Sequence, residues 1–101
     1  MKVAILGNGF VGNATNHFLT KFCNNVEILI EDPAQNKVID DWTDVEYTFV
    51  CVPTNLQGGK LGLNHVLEAF TRARGTIILR STVGPDQIKT LTNATKLNMI
   101  Y

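Results

Sequence analysis

Lys2-Val3-Ala4-Ile5-Leu6-Gly7-Asn8-Gly9-Phe10-Val11-Gly12 decides how the rest of the chain is read. Lys2 to Leu6 is a short, nearly continuous apolar run, as expected of a strand buried on both faces of a parallel sheet. Gly7-Asn8-Gly9 breaks that run. From Phe10 to Phe22 apolar residues recur at Val11, Ala14, Phe18, Leu19 and Phe22, which predicts an amphipathic helix. The stretch therefore reads as strand, glycine turn and helix.

Working outward, Asn24-Asn25 ends the helix and Val26 to Ile30 reads as a second strand. Glu31-Asp32-Pro33 forms a turn, and the mixed segment from Ala34 to Asp44 holds at most two helical turns. Val45 to Val52 reads as a third strand, closed by Pro53, and Asn55 to Lys60, with its Gly58-Gly59 pair, as a loop. Asn64 can cap a helix whose apolar face is Val66, Leu67, Ala69 and Phe70. Thr76 to Leu79 is a fourth strand. Pro85 suits the first turn of a last helix running to about Lys96, and Met99-Ile100-Tyr101 opens a fifth strand. Strands alternating with helices imply a parallel sheet with right-handed crossovers.

The 101 residues suit one domain, and a hydrophobic content of 45% is enough for a real core. Nine basic and nine acidic residues cancel, so charge gives no reason to expect nucleic acid or an anionic membrane as partner. No apolar run approaches the roughly 20 residues of a transmembrane helix. The apolar run after Lys2 is too short for a secretory signal, and without one the Asn-x-Thr triplets at Asn13 and Asn93 carry no meaning. A cytoplasmic location is expected. Cys23 and Cys51 lack metal-ligand spacing, and Cys51, inside Phe49-Val50-Cys51-Val52, reads as a buried reduced thiol.

Gly7-Asn8-Gly9-Phe10-Val11-Gly12 matches G-x-G-x-x-G in the context that gives the pattern meaning: after a strand, before a helix, with an acidic pair at the end of the next strand. Gly7 permits the sharp turn. Gly9, without a Cβ, lets a pyrophosphate approach backbone N–H groups at a helix N-terminus. Gly12 lets the helix lie close to the sheet. A carboxylate after the second strand accepts hydrogen bonds from adenosine ribose hydroxyls and repels a 2′-phosphate. Glu31 and Asp32 both qualify, and no arginine follows to welcome NADP. The expected fold class is thus α/β: a Rossmann-type, doubly wound parallel sheet of four to five strands with flanking helices, binding NAD, in one domain over residues 1–101.

Further motifs carry a resemblance. Phe49-Val50-Cys51-Val52-Pro53-Thr54, Leu61-Gly62-Leu63-Asn64 and Ile78-Leu79-Arg80-Ser81-Thr82-Val83-Gly84-Pro85 are similar, in order, to segments of the UDP-glucose/GDP-mannose dehydrogenase family. With the glycine loop, the match runs from Met1 to Tyr101. The resemblance implies that Val11 lies along the pyrophosphate through its backbone, with Phe10 beside it. It implies that Asp32 binds the ribose and that Lys37, five residues on, contacts the adenosine side; this spacing favours Asp32 over Glu31. Val52, Pro53 and Thr54 would line the nicotinamide-ribose side. Thr82 would reach the cofactor and help position a catalytic water in complete enzymes.

Departures from the family pattern bear on function. Gly62 replaces a usual Asp at the helix entry. Residues 33–44 are shorter than is usual, so a strand and helix are expected to be missing there. The family's second domain, with its catalytic cysteine and lysine, has no counterpart after Tyr101. The family oxidises the C6 alcohol of a nucleotide sugar in two hydride transfers to NAD, the second through a thiol nucleophile. Neither Cys51 nor Cys23 suits that task, and His17 and His65 read as surface residues. The expectation is a cofactor domain that meets a nucleotide sugar only together with a catalytic domain, and that is inactive alone. The alternative is a stand-alone NAD(H)-binding module, and whether the coding region continues past Tyr101 separates the two. A 3-hydroxyacid dehydrogenase domain is disfavoured by Pro53-Thr54 and Ser81-Thr82-Val83. An abrupt end at an opening strand reads as truncation, and its exposed edge invites homodimerisation.

Overall fold

A computed structural model describes residues 1–52, 56–57, 60–61, 64–81 and 83–101. Five strands form a parallel sheet: β1 (Lys2–Leu6), β2 (Glu27–Glu31), β3 (Val45–Val50), β6 (Thr76–Leu79) and β7 (Met99–Ile100), in the order β2-β1-β3-β6-β7. Three helices connect them, α1 (Phe10–Phe22), α2 (Asn64–Arg72) and α3 (Pro85–Ala94). Between β3 and α2, β4 (Leu56–Gln57) and β5 (Lys60–Leu61) form a two-stranded antiparallel ladder. The sequence reading made this stretch a loop. Gly58 and Gly59, part of that expected loop, lie outside the described residues.

Pairing explains where the strands stop. Lys2 to Leu6 match Glu27 to Glu31 one for one, which moves β2 one residue later than expected and makes Glu31 a strand residue. β3 ends at Val50, two residues earlier than expected, because its partners end there: Leu6 on one side and Leu79 on the other. β3 pairs directly with β1. Residues 33–44 supply a 3-10 turn (Pro33–Gln35) and neither a strand nor an α-helix, the two elements expected to be missing there, and β2 lies at the sheet edge.

Alternation along the strands divides the core in two. On one face Ala4, Leu6, Val50, Ile77 and Leu79 meet Val66, Ala69, Phe70 and Ala73 of the α2 segment and Leu91 of α3. On the other, Val3, Ile5 and Cys51 meet Leu19 of α1, with Tyr47, Phe49, Ile28 and Ile30 only partly covered. Helices on both faces make the sheet doubly wound.

Two helical faces differ from expectation. Of Val11, Ala14, Phe18, Leu19 and Phe22, Leu19 alone is buried; Phe18 and Phe22 are 57% and 64% exposed. The helix turns Gly12, Thr15 and Leu19 inward instead. Its rotation is set by Gly12, where a Cβ would lie 1.9 Å from the Gly7 carbonyl oxygen. On α2, Leu67 faces outward and Ala73, just past the helix end, is buried in its stead. Among the described residues no helix is long and apolar enough to cross a membrane.

Candidate functional site

β1 and β3 are neighbours, and the chain leaves them toward opposite edges of the sheet. In an open α/β sheet this switch point leaves a crevice beyond the carboxyl ends of the strands. The glycine loop occupies it. Gly7 has φ +94°, donates its N–H to the Glu31 carbonyl at 2.8 Å, and has no room for a side chain, since a Cβ would lie 2.7 Å from the Cys51 carbonyl oxygen. Gly12 is bare for the sake of Gly7. Its closest approach is therefore to the loop itself, with the sheet residue Ile5 farther off at 3.6 Å.

Gly9 differs from both. A Cβ there would meet nothing within 4 Å, and its φ of −82° is open to any residue. Gly9 is also the N-cap of α1, with no side-chain cap and no acidic residue in the first turn. The N–H groups and dipole of the helix N-terminus thus receive no side-chain cap and no carboxylate from the helix's own first turn. Phe10 beside it is 93% exposed, and Val11 is also at the surface.

The acidic pair divides across the end of β2. Glu31 is turned away from the glycine loop. Its carboxylate accepts from Arg72 Nε at 2.8 Å, from Arg72 Nη2, and from the Ile39 amide at 3.1 Å. Burial alone would raise the Glu31 carboxyl; the Arg72 and Ile39 hydrogen bonds and the Arg72 charge outweigh it and hold the group below its ordinary value. Arg72 also lies over the Trp42 ring, 5.8 Å from its centre.

Asp32 turns toward the loop. Its Oδ2 accepts from the Asn8 amide at 2.8 Å, and its Oδ1 accepts from the Ala34 amide at 3.0 Å, capping the 3-10 turn. Lys37 is joined to Asp32 by two backbone hydrogen bonds, of 2.8 and 3.0 Å, and its side chain is exposed. Sequence reasoning missed two residues here. Gln35 donates from Nε2 to the Asn8 carbonyl at 3.0 Å and accepts from Asn8 Nδ2 at 2.8 Å. No sequence signal marked Gln35; Asn8 stood inside the motif as an unspecified position.

The carboxyl end of β3 closes the crevice. Cys51 is buried, and burial pushes its thiol up, against the smaller opposing pull of the Thr15 hydroxyl and the Arg80 charge. Ser81 is buried and donates to the Val52 carbonyl at 2.7 Å and to the Val50 carbonyl at 3.3 Å, tying the end of β6 to the end of β3. Ser81 stood in a quoted motif but was given no role. Val52 is half-buried beside it. Pro53, Thr54 and Thr82 lie outside the described residues. Cys23 ends α1, at the opposite end of that helix from the glycine loop, and His17 and His65 are exposed.

The parallel sheet that carries this loop is shared with solved structures. The chain has the fold of about a third of a nucleotide-sugar dehydrogenase. It is similar to the GDP-mannose dehydrogenase of Pseudomonas aeruginosa, solved as a ternary complex, with a TM-score of 0.69 and 16% identity over 97% of this chain and 33% of that one. It is similar also to a UDP-glucose dehydrogenase from the hyperthermophilic archaeon Pyrobaculum islandicum, with a TM-score of 0.62 and 14% identity over 97% of this chain and 34% of that one. Identities this low establish the fold, the level at which the resemblance drawn from four sequence motifs is borne out. No family model matches the sequence. No curated protein matches it either.

The residues present fit a dinucleotide. Gly9 is bare although nothing in the protein requires it, the helix N-terminus beside it is uncapped, and Asp32 stands at the loop while Glu31 is occupied elsewhere.

Proposed function

We propose that the chain is the NAD-binding domain of a nucleotide-sugar 6-dehydrogenase of the UDP-glucose class. The observation that carries this reading is Gly9, the one glycine of the loop that the protein's own packing does not demand. A residue kept bare for no internal reason, at an uncapped helix N-terminus, suits the close approach of a pyrophosphate.

In this reading Gly7 and Gly12 shape the loop, while Gly9 and the amides of Phe10 and Val11 receive the pyrophosphate. Asp32 accepts from the adenosine ribose hydroxyls and disfavours a 2′-phosphate, with Lys37 beside it. Val52, Pro53, Thr54 and Thr82 belong to the nicotinamide side. Bound NAD supplies the hydride acceptor. Among the described residues neither thiol suits the second oxidation: Cys51 is buried, which raises its pKa, and Cys23 lies at the far end of α1. A catalytic partner domain therefore completes the reaction and brings in the nucleotide sugar. The similar proteins are about three times as long, which supports this division of labour. A cytoplasmic location goes with it, and the outer edge of β7 supports self-association.

Calorimetric titration with NAD, NADH and NADPH tests the reading. Saturable binding of NAD or NADH, with NADPH much weaker, is expected. Gly9→Val is expected to remove binding with the fold intact, and Asp32→Ala to weaken NAD and narrow the preference over NADP. A folded chain that binds no dinucleotide sinks the assignment.

A further inference from the structure

We propose that Gln35 and Asn8 form a latch that holds the Asp32 carboxylate against the glycine loop, and so sets the discrimination between a free adenosine 2′-hydroxyl and a 2′-phosphate. The inference rests on the dinucleotide reading above and gives a task to two residues that it leaves without one.

Gln35 follows Asp32 by three residues, at the end of the 3-10 turn. Its side chain reaches back 27 positions to Asn8 and makes two hydrogen bonds of opposite sense, accepting from Nδ2 at 2.8 Å and donating to the main-chain carbonyl at 3.0 Å. Gln35 is an exposed residue, so core packing does not hold this long side chain in place. Ordering a glutamine costs rotamer entropy, and the paired bonds offset that cost.

Asn8 supplies the second, independent observation. It is 6% exposed, and its Oδ1 is buried with no hydrogen-bond partner among the described residues. A buried unpaired amide oxygen is a cost that an apolar residue of similar size would avoid. The polar contact that the Asn8 side chain does make is the one from its Nδ2 group to Gln35.

The latch acts through Asp32. Both carboxylate oxygens are committed to main-chain N–H groups, one on the loop at Asn8 and one on the turn at Ala34. The two bonds fix the carboxylate between loop and turn, and the Gln35–Asn8 pair ties turn to loop, so both anchors stay in register while the pair is made. A carboxylate held at this point accepts from hydroxyls and repels phosphate. Released, it can rotate away and leave Lys37, on the same turn, as the nearer charge for an incoming phosphate. Asp32 touches the ligand in this scheme, and Gln35 is a positioning residue.

The test measures the ratio of NADH to NADPH affinity in wild type, Gln35→Ala, Asn8→Ala, Asp32→Ala and Asp32→Ala/Gln35→Ala, with thermal melts to confirm folding. Gln35→Ala and Asn8→Ala are each expected to lower the ratio about tenfold, and Gln35→Ala to change it no further once Asp32 is gone. A merely structural role would weaken both ligands together and leave the ratio alone. An unchanged ratio in both single variants, with wild type still preferring NADH, overturns the latch and leaves the proposed function standing. A fall that persists without Asp32 overturns the action through that carboxylate. Binding of neither dinucleotide by wild type overturns the latch together with the functional reading on which it stands.

Discussion

The carbonyl oxygen of Gly7 lies 1.9 Å from where a Cβ on Gly12 would be, so the first and last glycines of the loop depend on each other. That contact seats the first turn of α1 on the loop and fixes which side of the helix faces the sheet.

Gly12→Ala and Gly7→Ala are therefore expected to destabilise the fold by about 2–4 kcal/mol each, because both would push a carbon into backbone. Gly9→Ala should stay within about 1 kcal/mol, the scale of an N-cap change. Urea denaturation of the three variants checks the ordering, and equal losses at all three positions would contradict the separate role of Gly9.

The same contact decides the worth of the residues on α1. Leu19→Ala is expected to cost about 2–4 kcal/mol as a core truncation. Phe18 and Phe22 touch each other at the surface, with ring centres 5.0 Å apart, and Lys21 lies 5.4 Å from the Phe22 ring centre. Phe18→Ser and Phe22→Ser should each cost no more than about 1 kcal/mol. Thermal melts that ranked either phenylalanine above Leu19 would overturn the observed rotation of the helix.

Glu31 makes stability depend on acid. Its carboxyl is held below its ordinary value in the folded chain, so its contribution is complete above the ordinary carboxylate range. It is lost as pH falls through that range toward the depressed folded value. Glu31→Gln should lower stability at neutral pH by about 1 kcal/mol, a modest figure because the Arg72 side chain is 44% exposed and solvent screens the pair. The loss should vanish in acid. A wild-type-minus-variant difference that stays flat from neutral pH into acid would show that the ion pair contributes nothing.

The two cysteines should separate by reactivity. Cys51 is buried with a raised pKa, and Cys23 is half-buried at the end of α1. An aromatic disulfide reagent at neutral pH is expected to titrate Cys23 first and Cys51 only on unfolding. Rapid modification of Cys51 in the native chain would show that the loop end of β3 opens readily.

Several features were legible in the chain itself. The boundaries of β1, α1 and β6 follow from an apolar run, a glycine break and a periodic pattern, which are local constraints on backbone geometry. The need for glycine at position 7 belongs to the same class, because a turn out of a buried strand demands an unusual φ. The burial of Cys51 could be read from its apolar neighbours.

Tertiary structure alone decided the rest. Glu31 and Asp32 are adjacent and chemically alike. Only the pairing of β2 with β1 sends one carboxylate toward Arg72 and the other toward Asn8. Hydrophobicity argued for burying Phe18 and Phe22, and the packed helix turns Gly12, Thr15 and Leu19 inward instead. The Gln35–Asn8 bonds join residues 27 positions apart with no pattern between them. Periodicity and glycine placement report what the backbone can do locally, so the sequence by itself determined the strands of the main sheet, the three helices and their order, but not the short β4–β5 ladder. Which side chain meets which depends on how those elements are turned against one another, and that is a property of the packed fold.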